Sequence, residues 1–407
     1  MARLLEDQAK KLLARYGIKV PEFRIVSTAD EAGKAAAELG KEVVIKALVP
    51  IGKRGKAGAV RFAGDTQEAV KVASEILGLT LSNYPVERLL VEEKLDIEQE
   101  LYVSITIDSS VKKPAVIAST AGGMDVEEII QKEKDKVKIY HPDPILGLPA
   151  FKAREIWSEL GMSGKALLDL TATLVSLYRA WADLDAYLLE VNPLVITHKG
   201  EVIAAACVLG LDDSALYRHP DLAGFVQMGM ERAWRPLTEL EKQAVEVNEK
   251  DPYRGTARYT EMDGGDIGFM CGGGGGSLLM FDTLLEFGGK PANYSEFGGN
   301  PTAEKVYGLA KVILSKPGVR GLIVAQNITN NTQVDLVAQG LLRALKELNI
   351  DPKTFPIVVR EAGVNEDEAR RLFLQAGIDY YAEEVSMREA AQKIIAKMQE
   401  YYGEGSR

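Results

Sequence analysis

The sequence predicts an α/β protein whose C-terminal part is built on a doubly wound parallel sheet. From residue 259 onward, short apolar runs of strand length alternate with amphipathic runs of helix length. Repeated strand–helix units of this kind form parallel sheets that helices cover on both faces. The residues before that point also mix strands and helices, but without a regular alternation. A chain of 407 residues is long enough for two or three domains.

Composition and charge narrow the possible functions. Hydrophobic residues make up 46% and charged residues 27% of the chain, which is typical of a globular protein. No apolar run reaches the roughly 18 residues that a membrane span needs, and the formal net charge of -10 argues against general nucleic-acid binding. The two cysteines cannot form a disulfide framework, so a cytoplasmic location is expected. None of the three histidines stands at metal-ligand spacing from another, so neither zinc nor iron is expected.

Five consecutive glycines, residues 272–276, are the most distinctive local feature. They follow a short apolar run that ends at Cys271, and they precede Ser277 and a segment with helical spacing. This order predicts a strand, a tight turn and a helix. Glycine lets a ligand approach the backbone closely, and the amides at a helix N-terminus bind anions. A flexible hinge is the alternative interpretation, but the flanking strand and helix favour the anion site.

Two further loops are predicted at the carboxyl ends of neighbouring strands, where doubly wound sheets bind their ligands. Residues 326–332 read QNITNNT and residues 360–365 read REAGVN, so both loops carry groups that donate hydrogen bonds to an anion. Arg360 can clamp a carboxylate through two parallel hydrogen bonds, or pair with a neighbouring acid. The predicted substrate-binding residues are therefore Gly272, Gly273, Gly274, Gly275, Gly276, Ser277, Asn330, Asn331, Thr332 and Arg360.

A second anion site is predicted in the first half of the chain. Residues 42–47 form an apolar strand that contains Lys46, and an unpaired lysine is expensive to bury. The loop that follows combines glycines with Lys53, Arg54 and Lys56, which suits a polyphosphate. Its residue order is not that of a P-loop. A solvated basic turn is the alternative interpretation of this loop.

Several ordered motifs make the sequence resemble a known family across nearly its whole length. The motifs that resemble the β subunit of succinyl-CoA synthetase, an ADP-forming acyl-CoA synthetase, are DQAKKLLARYGIKVP, VVIKA, GKRGKAG, LLVEEKLDIEQELYVS and LLEVNPLVIT. In the second half, the motifs that are similar to the citrate-handling part of ATP-citrate lyase and the large subunit of citryl-CoA synthetase are GGGGGS, ANYSEFGGNPT and VVREAGVN.

The resemblance implies an α/β architecture in which an ATP-grasp domain is followed by a flavodoxin-like doubly wound parallel-sheet domain. The ATP-grasp domain is expected at residues 1–235, with a small subdomain at about residues 20–100. Residues 236–258 are expected to connect it to a CoA-ligase domain at residues 259–407, which binds the carboxylate and a partner α subunit.

The resemblance also implies roles for single residues. Glu190 is implied to lie near the point of phosphate transfer as a catalytic residue, and Asn192 to bind Mg²⁺ through its side-chain oxygen. The residues implied to hold the phosphates of ATP or ADP are Lys46, Lys53, Arg54 and Gly55. Those implied to lie around the rest of the nucleotide are Glu92, Leu95 and Glu100. Two positions depart from the family pattern, because Ala121 and Ala206 stand where carboxylates are expected.

The same resemblance implies a partner chain. In the family, ATP phosphorylates a histidine, the phosphate passes to a carboxylate, and CoA attacks the acyl phosphate. The phosphohistidine and most of the CoA site belong to the α subunit, so a hetero-oligomer is implied. None of His141, His198 and His219 stands in a glycine-rich context that would suit this role.

Citrate is the expected small-molecule carboxylate, because Gly272 replaces the asparagine that is typical of succinate-specific members. Succinate or malate, within the same enzyme class, is the first alternative. The second alternative is a non-catalytic binding or scaffold subunit, in which Ala121 and Ala206 mark a decayed nucleotide site. An oxidoreductase that binds a dinucleotide is disfavoured, because no convincing ribose-binding acid follows the glycine run.

Overall fold

The structure is a computed structural model that describes residues 2–50, 54–81, 83–123, 134–222 and 236–403. The chain divides into two compact units, Met1–Pro236 and Leu237–Arg407. Lys53, one of the predicted phosphate-binding residues, lies outside the described residues. Within the described ranges, no helix combines the length and the apolar character that a bilayer crossing requires.

The first unit is a mixture of helices and mainly antiparallel sheets. Its α-helices are α1 (Glu6–Arg15), α2 (Ala29–Leu39), α3 (Thr66–Leu77), α4 (Ala150–Glu159) and α5 (Gly164–Asp183). Its strands are β1 (Ala2–Arg3), β2 (Phe23–Val26), β3 (Val43–Ala47), β4 (Val60–Ala63), β5 (Thr80–Leu81), β6 (Tyr84–Pro85), β7 (Leu89–Glu93), β8 (Ile97–Asp108), β9 (Lys113–Ser119), β10 (Val137–Tyr140), β11 (Ala186–Thr197), β12 (Val202–Ala204) and β13 (Cys207–Leu211). One sheet has the order β2-β7-β3-β4, a larger one has the order β1-β13-β11-β8-β9-β10 with β12 beside β11, and β5 and β6 form a separate pair.

Local sequence signals explain where the early helices of this unit begin. Helix α2 starts with a capping box, in which the Thr28 hydroxyl accepts from the Glu31 amide while the Glu31 carboxylate accepts from the Thr28 amide. Helix α3 is capped by Asp65, whose carboxylate accepts from the Glu68 amide at 2.8 Å. The predictions of helices at residues 30–39 and 65–77 are confirmed.

One of the two longest strands of the unit, β11, runs through a segment that the sequence predicts as a break. Residues 191–193, Val-Asn-Pro, separate two predicted strands, but β11 is continuous from Ala186 to Thr197. It pairs with β8 on one side and with β12 and β13 on the other, and its register with β8 shifts between Val191 and Leu194. Because partner strands flank the segment on both sides, the ladder continues past the proline with only a local irregularity.

The second unit is a doubly wound sheet. Its helices are α6 (Glu239–Glu249), α7 (Gly274–Glu286), α8 (Ala303–Ser315), α9 (Val334–Glu347), α10 (Glu366–Gln375) and α11 (Met387–Tyr402). Its strands are β14 (Thr256–Glu261), β15 (Ile267–Gly272), β16 (Asn293–Gly298), β17 (Gly321–Gln333), β18 (Ile357–Val364) and β19 (Asp379–Tyr381). Helix α6, in the segment predicted as a connection, packs on β14 and α8 within this unit.

The strand order identifies the topology of the second unit. The sheet runs β14-β16-β15-β17-β18-β19, and all neighbours are parallel except the antiparallel pair of β14 and β16. The five parallel strands therefore follow the flavodoxin-like order 2-1-3-4-5. Helices α8, α9 and α10 cover one face of the sheet, and helices α7 and α11 cover the other. The predicted doubly wound, flavodoxin-like domain is confirmed, and its strand order reverses between β15 and β17, where such folds bind ligands.

Two of the three predicted ligand loops are strands. Strand β17 continues to Gln333 and β18 continues to Val364, so residues 326–332 and 360–365 lie almost entirely within the sheet. The two strands stay paired, with Ile328 opposite Ala362, although the register shifts on both sides of that pair. Asparagine and glycine disfavour strands in isolation, but a parallel neighbour supplies the hydrogen bonds that hold these segments extended.

Candidate functional site

Five charged side chains form a buried ion-pair cluster in the first unit, contributed by α1, β3, β7 and the loop after β3. Its members are Glu6, Lys10, Lys46, Arg54 and Glu92. The Lys46 ammonium lies 3.0 Å from the Glu6 carboxylate and 2.7 Å from that of Glu92, and the Lys10 ammonium lies 3.1 Å from Glu6. Lys10 also pairs with Glu92, and Arg54 with Glu6. Three cations thus face two carboxylates.

The cluster explains how Lys46 is accommodated in an apolar strand. Lys46 is buried, and besides its two carboxylate partners it donates to the Ala205 carbonyl at 3.0 Å. Burial alone would raise the pKa of Glu6, but Lys46, Lys10 and Arg54 hold that pKa well below its ordinary value. Burial likewise opposes the charge on Lys10, yet Glu6 and Glu92 raise the pKa of that ammonium. Glu6 and Lys10 are therefore both stabilised in their charged forms by the cluster.

The structure brings together two of the predicted phosphate-binding residues, Lys46 and Arg54, on the shared partner Glu6. Arg54 also donates to the Ala47 carbonyl at 2.8 Å, and Gly55 beside it is exposed. Glu6 and Lys10 do not stand out in the sequence, where helix α1 is recognised by its apolar face. The sequence feature that could have identified them is their opposite charges at positions i and i+4 of an amphipathic helix.

A small apolar patch lies beside the cluster. Leu95 packs against buried Val195, Ile203 and Ala205, and the carbonyl of Ala205 is the one that accepts from Lys46. An apolar surface next to cations suits an aromatic base that carries phosphates. Glu92, predicted beside the base, is an ion-pair partner of Lys46 in the cluster.

Two of the remaining predicted residues, Glu100 and Asn192, lie beside Gly123. The Gly123 amide donates to the Asn192 side-chain oxygen at 2.9 Å, and a β-carbon at Gly123 would overlap the Glu100 carboxylate. Glu190 lies two residues before Asn192 on β11, and residues two apart point to the same side of a strand. Glu100, Glu190 and Asn192 are thus contributed by the neighbouring strands β8 and β11.

These residues do not complete a Mg²⁺ site on the protein. Ala206 is directly beside Asn192, whose amide donates to the Ala206 carbonyl at 3.0 Å, and it offers no side-chain oxygen. Ala121 offers none either, and the Asn192 oxygen already accepts from Gly123. Within the described ranges, no group of three or more His, Cys, Asp or Glu side chains is arranged to hold a metal ion. The described residues thus form no all-protein cage for a metal, and Mg²⁺, which is usually held by one or two carboxylates together with substrate phosphates, would rely here on a bound nucleotide.

The glycine run joins β15 to α7 in the second unit. Gly272 ends the strand, Gly273 adopts a positive φ of 80° as the N-cap, and the helix starts at Gly274. The helix therefore begins three residues earlier than the predicted start at Ser277. The first-turn amides of a helix have no intrahelical acceptor, so this N-terminus offers donors to an anion.

Two side chains from the end of β17 lie against the glycines. A β-carbon at Gly272 would stand 2.6 Å from the β-carbon of Gln326, and one at Gly276 would stand 2.8 Å from the Asn327 amide nitrogen. The space that a side chain at residue 272 would take is thus filled by Gln326. Neither Gln326 nor Asn327 is among the predicted substrate residues, which lie further along the same segment.

The other predicted substrate residues have different surroundings. Ser277 is completely buried, and its hydroxyl bonds the Gly274 carbonyl at 2.8 Å and the Tyr294 hydroxyl at 2.7 Å. The buried guanidinium of Arg360 donates to the carbonyls of Gln326 at 2.6 Å and Val385 at 2.7 Å. On β17, Asn330 and Asn331 are exposed and Thr332 is buried. Arg360 therefore holds the peptide of Gln326, and its guanidinium is not positioned to clamp a substrate carboxylate through two parallel hydrogen bonds.

Replacing Gly272 by alanine should lower the free energy of unfolding by about 1–3 kcal/mol, because the new methyl group overlaps the β-carbon of Gln326. Chemical denaturation measures the effect. Gly275→Ala is the matched control, since a β-carbon there meets nothing within 4 Å and alanine favours the helix. We expect that control to be neutral or stabilising by up to about 1 kcal/mol. Equal destabilisation by both changes would contradict the contact with Gln326.

Comparison with known proteins agrees with this division into two units. Residues 3–196 match the family profile described as an ATP-grasp domain. Residues 235–401 match the profile described as the citrate-binding part of ATP citrate lyase. The chain is thus an ATP-grasp protein with a second, doubly wound α/β domain.

Full-length relatives give the family. The chain is 39% identical over 394 residues to the GDP-forming succinate–CoA ligase subunit beta of Thermus thermophilus, covering 97% of this chain and 98% of the relative. It is 36% identical over 393 residues to the ADP-forming subunit beta of Ignicoccus hospitalis, covering 96% and 98%. The chain belongs to the family of succinate–CoA ligase β subunits, whose members are CoA ligases. The resemblance predicted from the motifs is confirmed.

A solved structure shares the fold. ATP citrate lyase from Methanothrix soehngenii, solved in complex with citrate and coenzyme A, superposes with a TM-score of 0.81 at 23% identity. The match covers 97% of this chain and 99% of that chain.

Proposed function

We propose that the chain is the β-type subunit of an ADP-forming carboxylate–CoA ligase that acts on citrate, converting ATP, citrate and CoA to citryl-CoA, ADP and phosphate. The observation that carries the substrate is the free helix N-terminus after Gly273, flanked by the Gln326 and Asn327 amides. A tricarboxylate needs several donors at once, and this place supplies backbone and side-chain amides together. The match of residues 235–401 to a citrate-binding profile supports the same choice.

The ion-pair cluster is the proposed site of the nucleotide phosphates. Its three cations exceed its two carboxylates, and two of the cations, Lys46 and Arg54, share Glu6 as a partner. A phosphate that enters the cluster competes with Glu6 and Glu92 for these cations. The apolar patch at Leu95 would take the base. No step is assigned to a metal held by this chain.

The proposed reaction divides acyl activation into smaller steps. A histidine of the α subunit accepts the terminal phosphate of ATP, and ADP leaves. A citrate carboxylate oxygen then attacks this phosphorus, which frees the histidine and forms an acyl phosphate. The CoA thiol attacks the acyl carbon, phosphate leaves, and the thiol proton passes to solvent or a base. The helix N-terminus at Gly274 would offset the charge on the carboxylate, and Glu190 is proposed to lie near the point of phosphate transfer.

The test is ADP release by this chain assembled with its α partner. Citrate should sustain ADP release that depends on CoA, whereas succinate and malate should sustain little. Turnover with succinate or malate but not citrate would replace the proposed substrate by the first alternative.

Replacing Lys46 by methionine should weaken ADP binding by roughly 10–100-fold, the cost of losing one or two charge-assisted hydrogen bonds. Calorimetry with ADP measures it, and a melting curve confirms that the variant is folded. Lys165→Met is the control, since its side chain is 77% exposed on helix α5. If the methionine variant is unfolded, Lys46→Arg serves instead, because its fork cannot reproduce the point contacts of the ammonium.

A non-catalytic binding or scaffold subunit is the second candidate, favoured by Ala121 and Ala206 beside Asn192. In that case the wild-type complex binds neither ADP nor ATP, with or without Mg²⁺, and Lys46→Met behaves like the wild type. Measurable nucleotide binding that Lys46→Met weakens would exclude this candidate.

A further inference from the structure

A carboxyl group without a partner lies in the interior of the second unit. Glu361, on β18, has no exposed surface, and among the described residues neither of its carboxylate oxygens has a hydrogen-bond partner. Burial raises the pKa of Glu361 to about 8. At neutral pH the carboxyl is therefore mostly protonated, and it holds an O–H group with no acceptor.

A second unpartnered group lies next to it. Gln326 is 1% exposed, and its side-chain nitrogen has no acceptor among the described residues. Ala325 on β17 pairs with Arg360 on β18, so Gln326 and Glu361 both directly follow the last regular pair of the two strands.

Both side chains belong to one face of the sheet. Val324 and Val359 lie in the core beneath helices α8, α9 and α10, and side chains two residues apart on a strand share a face. Gln326 and Glu361 follow these valines by two residues, and Gly272 follows Met270 of the same core by two residues. The three positions line up across the carboxyl ends of β15, β17 and β18, at the point where the strand order reverses.

The backbone around the two side chains is firmly held. The Arg360 guanidinium donates to the Gln326 carbonyl at 2.6 Å, and the Tyr380 hydroxyl donates to the Glu361 carbonyl at 2.7 Å. The backbone of Gln326 and Glu361 is thus fixed, whereas the polar ends of their side chains lack partners among the described residues.

Two buried lysines in the same unit, by contrast, have hydrogen-bond acceptors. The Lys316 ammonium donates to the carbonyls of Met262, Gly264 and Ala292, each at 2.7 Å. Lys305 similarly donates to three backbone carbonyls. Because burying an unpaired polar group is unfavourable, adjacent unpaired groups at a ligand-binding edge indicate a ligand that completes them.

We propose that Gln326 and Glu361 form a specificity pocket for a second carboxylate of the acid substrate, one that is not activated. Both side chains act as donors, the amide through N–H and the protonated carboxyl through O–H, and a carboxylate only accepts. The activated carboxylate takes the amides of the α7 N-terminus. Gln326 fills the space beside Gly272 in this structure, so binding of the acid requires that side chain to rotate. The proposal rests on the proposed function, and it names the residues that select a polycarboxylate.

The pocket makes substrate affinity depend on pH. The other titratable groups that interact with Glu361 are Tyr380 and Cys271, and burial raises the pKa of both, so neither adds a negative charge beside it near neutral pH. Only the protonated form of Glu361 can donate a hydrogen bond to a carboxylate, since the ionised form repels a carboxylate. Citrate affinity should therefore fall about tenfold between pH 7 and pH 9, as Glu361 loses its proton. Citrate itself is fully ionised over this range and contributes no such change.

The experiment is calorimetry with citrate at pH 7, 8 and 9, using the complete complex with the α partner. Wild type should lose about tenfold in affinity across this range, whereas Glu361→Gln, which keeps a donor but cannot ionise, should lose little. Glu361→Leu should bind citrate weakly at every pH, with KM raised and kcat nearly unchanged. Glu347→Gln is the matched control on the exposed surface and should follow the wild type.

The outcomes separate the pocket from the proposed function. Citrate binding by wild type that is constant from pH 7 to 9 overturns the pocket without any variant having to fold. A Glu361→Gln profile that matches a pH-dependent wild type also overturns it. In both cases the proposed function stands. If wild type neither binds citrate nor releases ADP with it, the proposed function fails, and the pocket falls with it.

Discussion

Replacing Glu6 by glutamine should lower the free energy of unfolding by about 3–5 kcal/mol, the usual cost of removing one partner from a buried charge network. Glu6 contacts Lys10, Lys46 and Arg54, so its loss leaves three buried cations with Glu92 as the remaining carboxylate of the cluster. The side chain keeps its shape, so packing changes little. Urea denaturation at neutral pH measures the difference.

The control is Glu201→Gln, which removes one partner of the exposed pair with Lys19 in the same unit. We expect an effect below about 1 kcal/mol, since solvent screens that pair. Pyrophosphate should stabilise Glu6→Gln more than it stabilises wild type, because the substitution adds one net positive charge to the cluster. Equal losses of stability for the two variants would contradict a buried network centred on Glu6.

The ion-pair cluster shows what the sequence can and cannot predict about a site. Lys46 is recognisable because a lysine within an apolar strand needs a partner. One of its two carboxylate partners is Glu6, forty residues earlier, and that contact depends on how helix α1 packs on the sheet. Local periodicity says which face of a helix is apolar, but it carries no information about which distant charge meets it.

The flavodoxin-like unit is predictable for a different reason. Most strands and helices of residues 267–402 can be recognised from the local sequence, and the rule for parallel sheets then fixes where ligands bind. Strand β16 is the exception, because it is not among the predicted elements. The glycine run was placed correctly at that edge from its flanking strand and helix alone. The residues that contact the glycine run are not predictable in this way, because the polar segment QNITNNT is held extended by pairing with β18. The predicted donors Asn330 and Asn331 are exposed on the strand, and Gln326 and Asn327 contact the glycines instead.

Replacing Glu361 by glutamine should change how stability depends on pH. The folded-state pKa of about 8 lies above the ordinary value of 4.5, so the folded chain keeps a proton that the unfolded chain releases between these values. The stability of wild type should therefore fall as the pH rises through this window, and level off above pH 8. Between pH 5 and pH 9, wild type should lose about 4 kcal/mol relative to Glu361→Gln, which has no proton to lose at this position.

Denaturation of wild type, Glu361→Gln and the exposed control Glu347→Gln at each pH measures this difference. Other titrating groups, including the strongly paired Glu6, act equally in all three proteins and cancel in the comparison. The control should run parallel to the wild type. If the curve of Glu361→Gln also runs parallel, the carboxyl is not held protonated by its burial, and it must have found a charged partner or water. A curve that separates progressively above pH 5 instead identifies Glu361 as a neutral donor at physiological pH, which is the state in which it can accept a carboxylate ligand.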